Sequence, residues 1–261
     1  MSGSEHAIRG LQKLAVRGLG AAQDRCIDCK IRHRAVCSNC EPDELAKLDV
    51  VKFYRDFAPG QEIVAAGEES EFLGSVVDGV VSLSKTLIDG RRQTVGLMFP
   101  SDFIGRPLRR TAPYDAVALT PVRLCLFSRS RFEQILKESP VLEKRLLEMT
   151  LDELDAAQDW MLLLGRKSAQ ERIASLLVIL ARRAAALDHS DPQDGFVFEL
   201  PLTREAIADY LGVTLETVSR QMTILRKSGV IDMIDARRIR VPDYLRLLDA
   251  SGDDADGGMV D

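Results

Sequence analysis

The sequence predicts an α+β chain built from a small β sandwich, a long helix and a helical C-terminal module closed by a β-hairpin. Three observations predict it. Between residues 50 and 127, short β-prone runs alternate with turn glycines at Gly60, Gly67, Gly79 and Gly90, the texture of a jelly roll or β-roll. From Val141 to about Leu164 the apolar residues recur at helical spacing. Near the C-terminus two short amphipathic stretches flank Gly212, and β-prone runs follow them.

In chain order, residues 1–25 read as a polar arm with a short helix from Ala7 to Leu19. Residues 26–40 hold the cysteine segment. Pro42 suits the first turn of a short helix. The β runs are Glu62–Ala65, Phe72–Val77, Val80–Leu87, Gln93–Phe99, Ala116–Leu119 and Val122–Phe127, with a hairpin signal at Asp89-Gly90. Ser139-Pro140 joins an N-cap residue to a proline at the first helical position. Beyond it, Leu147, Leu151, Leu154, Gln158 and Met161 are spaced 4, 3, 4 and 3 apart, and Ala157 and Leu164 widen the stripe. That is nearly a coiled-coil seam, so the helix would pair with its copy in a homodimer. The same stripe would also serve a helix packed on its own sandwich. Gly165 interrupts the run, Ser168-Ala-Gln-Glu171 is a capping box that restarts a helix toward Leu187, and residues 188–196 read as a loop.

The 261 residues are 46% hydrophobic and 29% charged, an ordinary globular composition that suggests two domains. No stretch approaches the ~18–20 apolar residues of a membrane span, and the first 25 residues lack the apolar core of a secretory signal. A cytoplasmic, reducing location is therefore expected. The net charge of −5 is unevenly spread. Residues 1–40 carry seven Lys/Arg against three Asp/Glu, and residues 201–248 carry eight against six. The last thirteen residues carry five Asp and no base, and read as a disordered tail. A nucleic-acid surface needs only local basic charge. With no Ser/His/Asp spacing, no phosphate loop and three histidines, nothing points to an enzyme.

Four of the five cysteines, Cys26, Cys29, Cys37 and Cys40, form C-x2-C-x7-C-x2-C, and Cys125 stands alone. Such crowding suggests thiolates gathered on a metal or a metal–sulfur cluster. The spacing by itself fits tetrahedral zinc on Cys26, Cys29, Cys37 and Cys40. Four thiolates also hold an iron–sulfur cluster, and bare thiols could serve as a redox switch.

Residues 203–227 carry the nucleic-acid signal. Thr203 can cap a helix from Arg204 to Leu211, Ala208 is small where two helices would cross, and Gly212 suits a left-handed turn. Thr214 can cap a second helix with Val218, Met222 and Leu225 inward. This is a helix-turn-helix, whose second helix enters the major groove. Glu216, Ser219 and Arg220 share its outer face. Arginine can donate two bonds to guanine, and glutamate can accept from cytosine. Thr214 and Thr217 in the first turn join them as candidate DNA contacts. Val230–Ile234 and Arg238–Val241 form a wing that would bring Arg237, Arg238 and Arg240 to the sugar-phosphate backbone.

From the β-roll through Leu202-Thr-Arg-Glu-Ala-Ile-Ala-Asp-Tyr-Leu-Gly-Val-Thr-Leu-Glu-Thr-Val-Ser-Arg220, the chain resembles the Crp/Fnr superfamily of transcription regulators. The Glu216-x-x-Ser219-Arg220 triplet resembles its oxygen-responsive Fnr branch, which implies recognition of a palindrome of TTGAT-like half-sites. Arg106 stands where cyclic-nucleotide binders have Glu, and Pro113-Tyr-Asp-Ala offers no Arg-Ser pair, so no cyclic nucleotide is expected. The resemblance implies a [4Fe-4S] cluster on Cys26, Cys29, Cys37 and Cys125, with Cys40 as an extra thiol or alternative ligand. It also implies a cyclic-nucleotide-binding-domain-like β-roll, a dimer on promoter DNA, and contact of the Asp89-Gly90-Arg-Arg turn with RNA polymerase. Zinc or a thiol redox site is the alternative in the same kind of regulator. The expected domains are an arm with the cysteine segment (1–49), the roll (50–130), a dimerisation helix (131–165), the winged helix-turn-helix (166–248) and the acidic tail (249–261).

Overall fold

The computed structural model describes residues 25–187 and 189–253. The helix expected at Ala7–Leu19 lies outside the described residues. A 3-10 turn at Cys26–Asp28 leads through a turn-rich segment to α1 (Pro42–Val51). Glu41 and Glu44 close a capping box around the Pro42 start, satisfying amides that a helix leaves open at its first turn.

Two four-stranded antiparallel sheets form the roll. One has the order β1-β8-β3-β6, from β1 (Lys52–Phe57), β8 (Val122–Ser128), β3 (Phe72–Asp78) and β6 (Phe103–Ile104). The other has the order β2-β7-β4-β5, from β2 (Glu62–Val64), β7 (Asp115–Ala118), β4 (Val81–Thr86) and β5 (Arg92–Met98). β1 and β6 were not expected from the sequence. Lys52-Phe-Tyr-Arg-Asp-Phe mixes charges with aromatics out of alternation, and Phe103-Ile is too short to stand out. Each takes its strand from a neighbour, β1 from β8 and β6 from β3.

β3 and β8 are buried on both faces. Val76, Leu124 and Leu126 point into the roll with Phe57, Val81 and Leu83. Leu73, Val77, Cys125 and Phe127 point outward into a second core with Ile31, Val36, Leu48 and Phe132. Each such side chain taken from water contributes about 1.5–3 kcal/mol. The cysteine segment is therefore a lid on the outer face of the roll.

The expected 131–165 helix is two helices, α2 (Arg129–Glu138) and α3 (Pro140–Arg166). Ser139 breaks them and caps α3, its Oγ accepting from the Leu142 amide at 3.1 Å. Gly165 does not end α3, which runs on to Arg166. The break falls at Lys167-Ser168, where the capping box forms, with the Ser168 amide donating to Glu171 Oε2 at 2.7 Å. α4 (Ala169–Leu187) follows. Residue 196, read as the end of a loop, instead starts β9 (Phe196–Glu199), which pairs with β11 (Arg238–Val241) and widens the wing begun by β10 (Asp232–Met233). The tail expected from residue 249 is a correction too. α7 (Tyr244–Ser251) extends through Asp249, and Asp253 forms a buried ion pair with Lys167 beside Ser175. Only from residue 254 does the tail lie outside the described residues.

Candidate metal centre and nucleic-acid interface

Cys125 is reached by the arithmetic of a strand. Val122, Leu124 and Leu126 turn into the roll, so Cys125 turns outward. It sits opposite Tyr54 on β1 and Ser75 on β3. Burial drives the Cys125 thiol pKa upward, and the neighbouring Cys26, Cys29 and Cys37 thiols add to the rise. Those three residues are the companions that the Crp/Fnr resemblance implies for it. Cys40 is buried too, but Glu44, Arg32 and Cys26 form its electrostatic surroundings, and burial leads its rise to about 11.

Burial and Asp49 push the Cys26 thiol up to about 12, against the nearby Lys52. The buried Lys52 ammonium lies 3.5 Å from Cys26 Sγ, and Asp49 holds it. Asp49 also accepts the Cys26 backbone amide at 2.9 Å. Burial, then the Cys29 and Cys40 thiols, push Cys37 up to about 11. Thiols that resist ionisation in an apolar pocket favour the charged form only when a cation or metal shares the site.

The residues fit a sulfur-ligated group by a second test. Two buried donors beside the thiols, Ser75 Oγ and Arg32 Nε, have no hydrogen-bond partner among the described residues. An anionic centre carried by thiolates takes such donors. No group of three His, Cys, Asp or Glu side chains among the described residues is arranged to hold a single metal ion.

Gly74, one residue before Ser75, was not marked by the sequence. A methyl group there would stand 2.1 Å from the Cys125 carbonyl oxygen and 2.9 Å from Leu126 Cδ2. The first neighbour is backbone and cannot swing aside. Gly74→Ala is expected to cost about 3 kcal/mol by forcing the two strands apart, read as a lower midpoint of chemical unfolding.

The helix-turn-helix is built as its local signals demand. Thr203 Oγ1 accepts the Ala206 amide at 3.1 Å to start α5 (Arg204–Leu211). Gly212 takes the left-handed conformation, φ 63°. Thr214 Oγ1 then accepts the Thr217 amide at 3.2 Å to start α6 (Leu215–Lys227). Val218, Met222 and Leu225 are buried, which leaves Glu216, Ser219 and Arg220 exposed on the far face. Thr214 and Thr217 share a hydroxyl contact of 3.1 Å at the start of that helix. Arg237, Arg238 and Arg240 are exposed on the wing. Arg238 is tied to Asp235 at 2.6 Å, and Arg240 Nε to Asp232 at 3.0 Å.

Residues 171–250 match the Crp-like helix-turn-helix domain, and residues 54–139 match the cyclic nucleotide-binding domain. The chain is 54% identical over 235 residues to the transcriptional activator protein FnrL of Cereibacter sphaeroides, covering 90% of this chain and 95% of that protein. It belongs to the Crp/Fnr family of transcription regulators. A second relative, the nitrogen fixation regulation protein FixK of Bradyrhizobium diazoefficiens, is 38% identical over 80% of this chain and 86% of its own. Among solved structures, FixK2 from Bradyrhizobium japonicum superposes with a TM-score of 0.70 at 35% identity, covering 78% of this chain and 98% of that one. The α+β class and the order of roll, long helix and winged helix-turn-helix are thus those of the Crp/Fnr family. Its members are regulators that bind DNA, not enzymes. No described helix of this Crp/Fnr protein is long and apolar enough to cross a membrane.

The Crp/Fnr roll holds a small, partly open pocket of about 50 Å³. Arg55, Arg106, Arg109 and Arg110 line it with Tyr114, and no carboxylate does.

Proposed function

We propose that this chain is an oxygen-responsive transcriptional activator. In this reading it carries a [4Fe-4S] cluster on Cys26, Cys29, Cys37 and Cys125 and binds a TTGAT-like palindrome as a homodimer when oxygen is low. The observation that carries the cluster is that Cys125 of the roll shares one core with the cysteine segment, where Cys26, Cys29 and Cys37 are the thiols that act on it. Activation follows the name of the FnrL relative. The open stripe on α3 supports the dimer. Leu147, Leu151, Leu154 and Met161 are each more than half exposed, so the stripe is not spent on the chain's own roll and is free to form a helix–helix seam. The pocket lining carries no Asp or Glu, which supports a roll without the acidic partner that cyclic-nucleotide binders offer.

When bound, the cluster ties four thiolates from two distant segments to one centre and adds its binding energy to the fold of the cysteine segment. This chain's own residues carry that state onward. The Ile31 carbonyl accepts from Ser101 Oγ on the roll at 3.4 Å, and the Arg34 carbonyl accepts from Arg145 of α3 at 2.8 Å. His33 Nε2 lies 3.1 Å from the Ala186 carbonyl at the end of α4, and its ring lies 4.1 Å from that of His189. Loosening the segment therefore acts on the roll, the long helix and the DNA-binding domain together, a population shift between DNA-competent and incompetent forms. The Asp89-Arg91 turn between β4 and β5 presents fully exposed Ile88 beside it, a surface suited to contact with RNA polymerase.

Iron and acid-labile sulfide analysis of anaerobically purified protein tests the reading, with footprinting on a TTGAT palindrome before and after air. About four irons and four sulfides per chain are expected, with protection lost in air. Zinc without sulfide would sink the cluster, and protection indifferent to air would sink the switch.

A further inference from the structure

Ser75 is out of place in β3. The strand reads Phe72-Leu-Gly-Ser-Val-Val-Asp78 and is buried on both faces. Ser75 is 3% exposed, and its hydroxyl has no partner among the described residues. An unbonded hydroxyl destabilises an apolar site, so its presence calls for something to receive it.

The pairing of strands says where that hydroxyl points. Ser75 stands directly opposite Cys125 in the antiparallel pair of β3 and β8. Directly opposed residues put their side chains on the same face, with Cβ atoms about 4.5–5.5 Å apart. Leu73 and Val77, two residues to either side of Ser75, lie in the core under the cysteine segment. The hydroxyl is therefore aimed into the thiol pocket, within reach of whatever Cys125 binds.

We propose that Ser75 donates a hydrogen bond from its hydroxyl to the sulfur of the bound cluster, at Cys125 Sγ or an adjacent sulfide, and thereby tunes the cluster. This rests on the cluster reading above. A donor on a cluster sulfur stabilises the more negative charge state. One-electron reduction at an electrode adds one negative charge to the cluster without breaking a bond, so that step reads the donor directly. Loss of the donor makes the cluster harder to reduce and easier to oxidise. Ser75 is thus a positioning and tuning residue, not a fifth ligand.

The test uses the full chain, reconstituted anaerobically with ferrous iron and sulfide, as wild type, Ser75→Ala and Ser75→Thr. Ser75→Ala is expected to load iron and sulfide like wild type. Its one-electron reduction should be about tenfold less favourable at a fixed potential, and its visible cluster absorption should bleach several-fold faster in air. Ser75→Thr keeps the donor and should restore both. Unfolding of the metal-free protein supplies the control. Without a cluster the hydroxyl is a burden, so Ser75→Ala should leave the metal-free chain as stable as wild type or more so.

Unchanged reduction and bleaching in Ser75→Ala would overturn the proposal. So would destabilisation of the metal-free chain together with the loaded one, the mark of a purely structural serine. A wild type that takes up no sulfide would overturn the cluster reading itself, and this proposal with it.

Discussion

Cys125→Ala is expected to abolish the stable cluster, whereas Cys40→Ala is expected to leave it in place. Binding energies of roughly 10–16 kcal/mol for four-ligand metal sites imply about 3 kcal/mol per ligand, so one lost thiolate weakens retention on the order of 100-fold. Iron and sulfide per chain should fall to near background for Cys125→Ala and stay near wild type for Cys40→Ala. The asymmetry follows from the surroundings. Cys125 is grouped with Cys26, Cys29 and Cys37, while Cys40, though near Cys26 and Cys37, does not act on Cys125 and faces the Glu44 carboxylate, which opposes a thiolate there. Equal loss in both variants would return the choice to a site that includes Cys40. Alanine is the better probe at Cys125, because a serine hydroxyl at this buried position would add an unmet polar group of its own. Both variants should keep the fold of the metal-free chain within about 2 kcal/mol, since each removes one small apolar group.

The second large effect concerns the recognition helix. Arg220→Ala is expected to weaken binding to a TTGAT palindrome by about 1–3 kcal/mol, or roughly 5- to 150-fold, and to relax preference at the guanine it reads. Glu216→Gln should relax preference at a neighbouring position with less loss of affinity. Arg237→Ala should behave differently. A phosphate contact weakens all sequences alike and lowers the slope of log affinity against log salt by about 0.9. Arg238 and Arg240 share their guanidinium groups with Asp235 and Asp232, so their removal should change the slope less. Quantitative binding on intact and base-substituted duplexes at several salt concentrations separates these cases. Arg220→Ala that weakened every duplex equally would remove it from base reading.

Much of the DNA-binding module was legible because its signals are local. Thr203, Gly212 and Thr214 each act within three residues of themselves, through a cap bond or a left-handed backbone. The same holds for Ser139 and for the Ser168–Glu171 box. Strands that borrow their structure from a neighbour were not legible. β1 and β9 carry no clean alternation and exist because β8 and β11 pair with them. Gly165 misled for the complementary reason. A glycine weakens a helix by only about 1 kcal/mol, and the packing of Leu163, which is fully buried, carries α3 past it. The ordered start of the acidic tail was hidden likewise, because Asp253 meets Lys167 across a long stretch of chain.

The cysteine pocket divides along the same line. Residue type and spacing by themselves determined that Cys26, Cys29, Cys37 and Cys40 would be gathered, since a short turn-rich segment cannot carry them far apart. They could not determine that Cys125 faces that segment. Val122–Phe127 is apolar at nearly every position, so it carries no alternation to say which face is which. Only the packing of β8 between β1 and β3 decided it, by turning Leu124 and Leu126 into the roll and Cys125 out toward the lid. The side chain of Ser75 follows from the same choice, because a strand that commits one residue inward commits its neighbours outward.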